Sequence, residues 1–154
     1  PEWFIGLAKS LPDQNFLMIG FPNDIELFKK VKELANNVEN LKIIDGLPFK
    51  KTASFFTKAK LFICTSRHEG FPNTFLQAWS NAVPVISSVD PSDIIQKNNL
   101  GALVHTEEQL LRSTKRLLAN DKLFMEYQKN INQYFSGNHD CQKQFETLIK
   151  HIEF

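Results

Sequence analysis

A chain of 154 residues with 42% apolar and 23% charged side chains suits one domain with a buried core. Its net charge of +1 comes from interspersed Lys and Glu, without the basic stripe of a nucleic-acid binder or an acidic tail. No apolar run approaches the roughly 18 residues of a membrane span, and no repeat or low-complexity tract is present.

The opening stretch, PEWFIGLAKSLP, predicts a helix. Pro1 suits a first turn, Trp3, Phe4, Leu7, Ala8 and Leu11 form one apolar face, and Pro12 ends it. Phe16 to Ile19 predict a short apolar strand stopped by Gly20. An amphipathic helix follows from about Asp24 to Val38, with Ile25, Phe28, Val31, Ala35 and Val38 on one side. Leu41 to Asp45 form a second strand. TASFFTKA predicts a short helix with Thr52 as its N-cap. Leu61 to Thr65 are a third strand, leading into the turn RHEGFPN and a helix from about Asn73 to Asn81. VPVISS is a strand, Ser92 to Lys97 a short helix, and ALV the last strand. Three helical stretches close the chain, at about Glu107–Ala119, Lys122–Phe135 and Cys141–Ile152.

Wholly apolar strands alternating with helices predict an α/β fold, a Rossmann-like doubly wound parallel sheet covered on both faces. In such sheets ligands bind at the carboxyl ends of the strands, the edge on which the Glu69 turn falls. A unit of this kind starts with a strand, whereas this sequence opens on a helix. The expectation is a fragment whose first strand lies upstream of Pro1. Phe16–Gly20 then pairs with Leu41–Asp45 and LFICT with VPVIS, leaving a gap between the two pairs.

The turn carries the chemistry. Gly70 lets the backbone pass close to a ligand, and Pro72 sets the angle at which the helix begins. With Asn73 as cap, the first free amides (Asn73, Thr74 and Phe75) present the positive end of the helix dipole to an anion such as a diphosphate. Glu69 can accept hydrogen bonds from sugar hydroxyls. Gln77, eight positions on, can donate and accept together, as a ribose diol requires. The same residues also read as a capped helix after a tight turn, with Glu69 solvated and Gln77 on the surface. Residue chemistry alone leaves both open.

TSRHEGFPNTFLQAWSNAVPVISS resembles the donor-site signature of retaining, GT-B-fold glycosyltransferases of the group 1, or family 4, kind. Ser66, Glu69, Gly70, Phe71, Pro72, Asn73, Ala78 and Pro84-Val85-Ile86 all match. The likeness extends to PEWFIGLAKSLPDQNFLMIG, LKIIDGLPF and NNLGALV, so nearly the whole chain is covered as a single donor nucleotide-sugar-binding domain, residues 1–154, one half of a GT-B fold. The resemblance implies that Glu69 holds hydroxyls of the transferred sugar in the catalytic role. Gly70, Phe71, Pro72, Asn73 and Thr74 meet the sugar and diphosphate, Gln77 the ribose, and the loop of Gly46, Leu47 and Phe49 lines the nucleobase. It further implies a UDP- or GDP-linked donor as substrate, no cofactor and no metal, because cationic side chains and helix ends offset the leaving diphosphate. The implied partners are a glycan or lipid-linked acceptor and the protein's own N-terminal domain, with no nucleic acid. The implied location is cytoplasmic, peripheral at the inner membrane face through that other domain.

Three departures stand out. The family's second acid is Gln77 here, keeping ribose hydrogen bonding without charge. SVDPSDII replaces the glycine pair usual after Pro-Val-Ile, which weakens phosphate contact from that loop. The family's basic residues before the first helix fall upstream of Pro1, as does the acceptor domain. Two other readings stand beside the transferase: a GT-B-fold epimerase or hydrolase acting on nucleotide sugars, and a non-catalytic binding or scaffold module. Arg67 and His68 read as a solvated pair able to touch phosphate, and Lys50 and Lys51 as a solvated face. Cys64 and Cys141 read as buried free thiols of a reducing compartment. His68, His105, His139 and His151 form no metal-binding spacing.

Overall fold

The computed structural model describes residues 1–20 and 24–139; the helix expected from Cys141 to Ile152 lies outside them, as does Cys141 itself. The elements run α1 (Glu2–Ser10), β1 (Phe16–Gly20), α2 (Ile25–Ala35), β2 (Leu41–Asp45), α3 (Phe49–Phe56), β3 (Phe62–Cys64) and α4 (Asn73–Trp79). They continue with β4 (Val85–Ser87), a 3-10 turn (Pro91–Asp93), α5 (Ile94–Asn98), β5 (Gly101–Leu103), α6 (Glu107–Leu118) and α7 (Asp121–Asn138). Three helices begin at side-chain caps: Asp24, Thr106 and Asn120 accept from the amides of Leu27, Gln109 and Leu123. Each such cap contributes about 1 kcal/mol by satisfying an amide that the helix cannot.

Every strand pair is parallel, as the apolar runs predict. β1 pairs with β2, setting Phe16 opposite Leu41 and Gly20 opposite Asp45. β3 pairs with β4, Phe62 opposite Val85, and β4 with β5, Val85 opposite Gly101. The expected pairings are therefore present. Among the described residues the two sets remain separate sheets, of two and three strands, with no ladder between β1 and β3.

β4 shows how both faces are covered. Val85 packs with Phe75, Ala78, Trp79, Ile95, Leu100 and Ile131, which belong to α4, α5, α7 and the loop before β5. Ile86, one position on and pointing the other way, packs with Leu7, Val104, Leu110 and Leu117 beneath α1 and α6. α1 spans the two sheets, because Leu7 joins this cluster while Ile5 and Ala8 pack with Val31 and Val38 beside β1 and β2. Its carboxyl end is pinned by Asn40, whose Nδ2 donates to the carbonyls of Ala8, Leu11 and Gln14 at 3.0, 2.9 and 2.8 Å. α7 changes faces along its length. Leu123, Phe124 and Tyr127 pack against the α1–α6 side, Ile131, Tyr134 and Phe135 against the α4 side.

Two helix caps differ from expectation. α3 begins at Phe49 with Pro48 in the capping position, so Thr52 lies inside the helix. α4 begins after Pro72, which holds the capping position in an extended conformation (φ −67°, ψ 119°), so Asn73 is the first helical residue and not a cap. In both cases a proline with extended ψ stands in the capping position, and the helix carries no side-chain cap, in place of the polar residue that composition favours.

Candidate functional site

β3 ends at Cys64, a buried free thiol in the core, and the chain leaves the sheet at its carboxyl edge. The strand beside it controls that exit. Ser88, just past β4, donates its amide to the Cys64 carbonyl at 3.0 Å. Its hydroxyl contacts the Ser66 carbonyl at 2.7 Å and the Cys64 carbonyl at 3.3 Å. Ser66 in turn donates its hydroxyl to Glu69 Oε1 at 2.8 Å. A chain of hydrogen bonds thus runs from the central strand to the carboxylate, aiming Glu69 although its side chain is exposed. Oε2 has no partner among the described residues. Arg67 and His68 flank it, exposed, and form no ion pair among the described residues.

Beyond Glu69 the turn is held at Phe71 and Pro72. Pro72 is buried, and its carbonyl accepts from the Phe75 amide at 2.9 Å. Phe75 is therefore removed from the set of free amides, and Pro72 has none to give. The amides of Asn73 and Thr74 have no acceptor among the described residues, and both side chains are exposed. α4 is anchored from below by Phe75 and Trp79, each 1% exposed. The carboxylate and the two amides are thus carried by one short segment, fixed from the sheet on one side and from the core on the other.

Gln77 does not lie loose on the surface. Its Nε2 contacts Thr52 Oγ1 at 3.1 Å, tying α4 to α3. α3 is the helix entered from the Gly46–Pro48 loop, so this bond places the ribose candidate beside the element leading out of the base-side loop. Gly46 has φ of 57° and donates its amide to the Gly20 carbonyl at 2.7 Å, which closes that loop over the ends of β1 and β2. Leu47 is half-buried, and Phe49 opens α3.

The loop after β4 explains its missing glycines. Ser92 and Asp93 both adopt left-handed φ, 60° and 56°, which costs a non-glycine residue about 1–2 kcal/mol. What offsets this is Asp90, whose two carboxylate oxygens accept from the amides of Ile95 at 2.8 Å and Gln96 at 3.0 Å. An internal anion already occupies the start of α5. At the start of α4, by contrast, the amides of Asn73 and Thr74 have no acceptor among the described residues.

Sequence reading quotes the stretches that hold Ser88 and Asp90 but assigns neither a role, because each acts on a distant or irregular segment. Among the described residues no group of three His, Cys, Asp or Glu side chains is placed to hold a metal ion, and no helix is long and apolar enough to cross a membrane. A groove of about 490 Å³, lined by residues including Phe16, Leu17, Asn40, Lys42 and Phe55, runs along β1 and β2 and contains no residue of the turn.

The family described as Glycosyl transferases group 1 matches residues 3–138. Glycosyltransferase 1 domain-containing protein 1 of Xenopus tropicalis is 23% identical over 157 aligned positions, covering 99% of this chain and 46% of that protein. The chain therefore spans less than half of the length of this curated relative. Among solved structures, the C-terminal domain of a glycosyl transferase group 1 family protein (LpcC) from Francisella tularensis superposes with a TM-score of 0.76 at 21% identity. That match covers 91% of this chain and 77% of the other. The pneumococcal O-GlcNAc transferase GtfA, in complex with UDP and GlcNAc, gives 0.70 at 17% identity, covering 99% of this chain and 32% of that one. These likenesses establish a Rossmann-like GT-B domain.

Proposed function

Because the chain belongs to the group 1 glycosyltransferases, we propose that it is the donor-binding half of a retaining enzyme that transfers a sugar from a UDP- or GDP-linked donor. The observation that carries the reading is the hydrogen-bond chain from Ser88 through Ser66 to Glu69, set beside the unbonded amides of Asn73 and Thr74. Glu69 Oε2 accepts from sugar hydroxyls. The amides of Gly70, Phe71, Asn73 and Thr74 and the dipole of α4 receive the sugar and diphosphate, and Pro72 shapes their approach. Gln77 meets the ribose with the part of its amide not bonded to Thr52, and Gly46, Leu47 and Phe49 line the base. Arg67 and His68 add positive and polar character next to the carboxylate. The proposal uses no metal. The complex of the pneumococcal relative with UDP and GlcNAc supports a nucleotide-linked donor.

The edges of β1 and β3, which pair with no other strand among the described residues, support a further strand of the same polypeptide between the two sheets. The length of the curated relative leaves room for an acceptor domain that chooses the glycan or lipid-linked acceptor and holds the enzyme at the cytoplasmic membrane face. A second reading, a binding module without turnover, is favoured by the Gln77–Thr52 contact, which engages a side chain that the first reading gives to the ribose. Calorimetric titration with UDP, GDP and their sugar conjugates tests both. Weak binding of one nucleotide series, with no transfer by these 154 residues alone, is the expected result. Absence of binding by either series removes the donor-site reading, and sugar transfer by the chain alone removes the half-enzyme reading.

A further inference from the structure

Phe71 sits in the Glu69 turn with 40% of its surface exposed, yet its ring is in contact with the protein on three sides. It lies 6.5 Å from Phe75 and 6.2 Å from Trp79, both edge-on and both from α4, the helix the turn leads into. The third contact comes from elsewhere. His139, which ends α7, stacks on Phe71 at 6.5 Å with the rings inclined by 30°. His139 is itself held by Tyr134 at 5.4 Å and Phe135 at 5.7 Å, and its amide donates to the Phe135 carbonyl at 2.8 Å. Tyr134 also packs edge-on against Trp79 at 5.4 Å, which closes the circle of rings.

The α4 contacts come from the helix that the turn leads into, and Ser88 holds the strand side of the turn at Ser66. Among the described residues, the ring contact on Phe71 from outside the turn and α4 is that of His139 at the end of α7, and α7 is bound to the core through Ile131, which is fully buried. The imidazole is held by its faces. Its Nε2 is buried and has no hydrogen-bond partner among the described residues.

We propose that His139 and Tyr134 are positioning residues for the Glu69 turn, clamping the Phe71 ring from the end of α7 and so fixing the backbone of Gly70 and Phe71 before a donor arrives. The value of this clamp to catalysis rests on the donor-site reading above. Its existence does not, and it is tested without any ligand.

The measurement is ¹⁵N relaxation of the 154-residue chain, read as amide order parameters. In the wild type Gly70 and Phe71 are expected near the rigid value of about 0.85, and in His139→Ala they fall toward about 0.6, while Phe75 to Trp79 stay unchanged. His139→Phe, which keeps a flat ring, restores the wild-type values. Should His139→Ala not fold, His139→Leu fills similar space without a stacking face and is expected to loosen the turn in the same way. Wild-type order at Gly70 and Phe71 in the Ala and Leu variants overturns the proposal, as does a Phe variant as loose as the Leu variant. Titrating the wild type with UDP and GDP then separates the two claims. A silent titration with an intact clamp counts against the donor site alone.

Discussion

Two glycines of this chain separate what the fold needs from what a ligand needs. A Cβ built on Gly101 lies 1.8 Å from the Val85 carbonyl oxygen and 2.7 Å from its carbon, across the β4–β5 ladder, and Gly101 has φ of +154°. A Cβ built on Gly70 meets nothing within 4 Å, and its φ is outside the left-handed range. Gly101→Ala must therefore strain the backbone, at about 1–3 kcal/mol, and force the ladder apart, at a further 1–3 kcal/mol or so. A loss of roughly 2–6 kcal/mol is expected from urea unfolding, a large part of a domain's usual 5–15 kcal/mol. Gly70→Ala should move the same unfolding curve by only about 0.5 kcal/mol in either direction. If the glycine is there so that a donor can approach the backbone, the added methyl is felt only on binding. At about 1–3 kcal/mol of overpacking, affinity for the cognate sugar nucleotide drops by roughly one to two decades. Unfolding curves and titration calorimetry on the same two variants decide the matter. Equal donor affinity for wild type and Gly70→Ala would refute a close approach at Gly70, and a stability loss below about 1 kcal/mol for Gly101→Ala would refute the strand register.

Glu69→Ala in the full-length protein is expected to lower turnover by about one to two decades, the worth of a charge-assisted hydrogen bond, while leaving free-nucleotide affinity nearly unchanged; equal losses would make Glu69 structural. Ser66→Ala and Ser88→Ala should each slow turnover through the orientation of Glu69, and the double variant should lose less than the sum of the two, because both act along one chain of bonds. Additive losses in steady-state rates would break that chain. Asn40→Ala removes a shared donor from three carbonyls after α1, of which those of Ala8 and Leu11 keep a backbone donor, and should cost about 1–3 kcal/mol in chemical unfolding; a change under about 0.5 kcal/mol would show that water replaces the amide.

The strands and their pairing are legible in the sequence because a parallel strand covered by helices is mainly apolar, as FLMIG and PVI are, although LKIID carries Lys42 and Asp45 exposed. The turn was legible because its residues are consecutive. The caps expected at Thr52 and Asn73 are misplaced for a local reason: capping preference is read from side chains, whereas Pro48 and Pro72 take the capping positions with extended ψ, although α4 does begin at Asn73. The remaining gaps are long-range. The Gln77–Thr52 contact joins residues 25 positions apart, and Ser88 reaches Ser66 across 22, so no periodicity announces either.

The loop SVDPSDII joins both kinds of limit. Its lack of glycine suggested weakened phosphate contact, but the sequence did not show what takes the place of an anion there. The structure shows the carboxylate of Asp90 on the amides of Ile95 and Gln96, with Ser92 and Asp93 bent into left-handed geometry to bring it there. A carboxylate bonded to two amides resists displacement by a diphosphate, since the incoming anion must break both bonds and then face the charge it has released. On the proposed donor-site reading, the negative end of a donor is thereby left to the amides of Asn73 and Thr74, next to the carboxylate that Ser66 and Ser88 hold in place. Removing the Asp90 carboxylate, as in Asp90→Ala, should both loosen α5 and open a competing anion site there. A second, weaker phosphate-binding event seen by calorimetry in that variant alone is the expected result, and a single unchanged isotherm would show that Asp90 merely caps the helix.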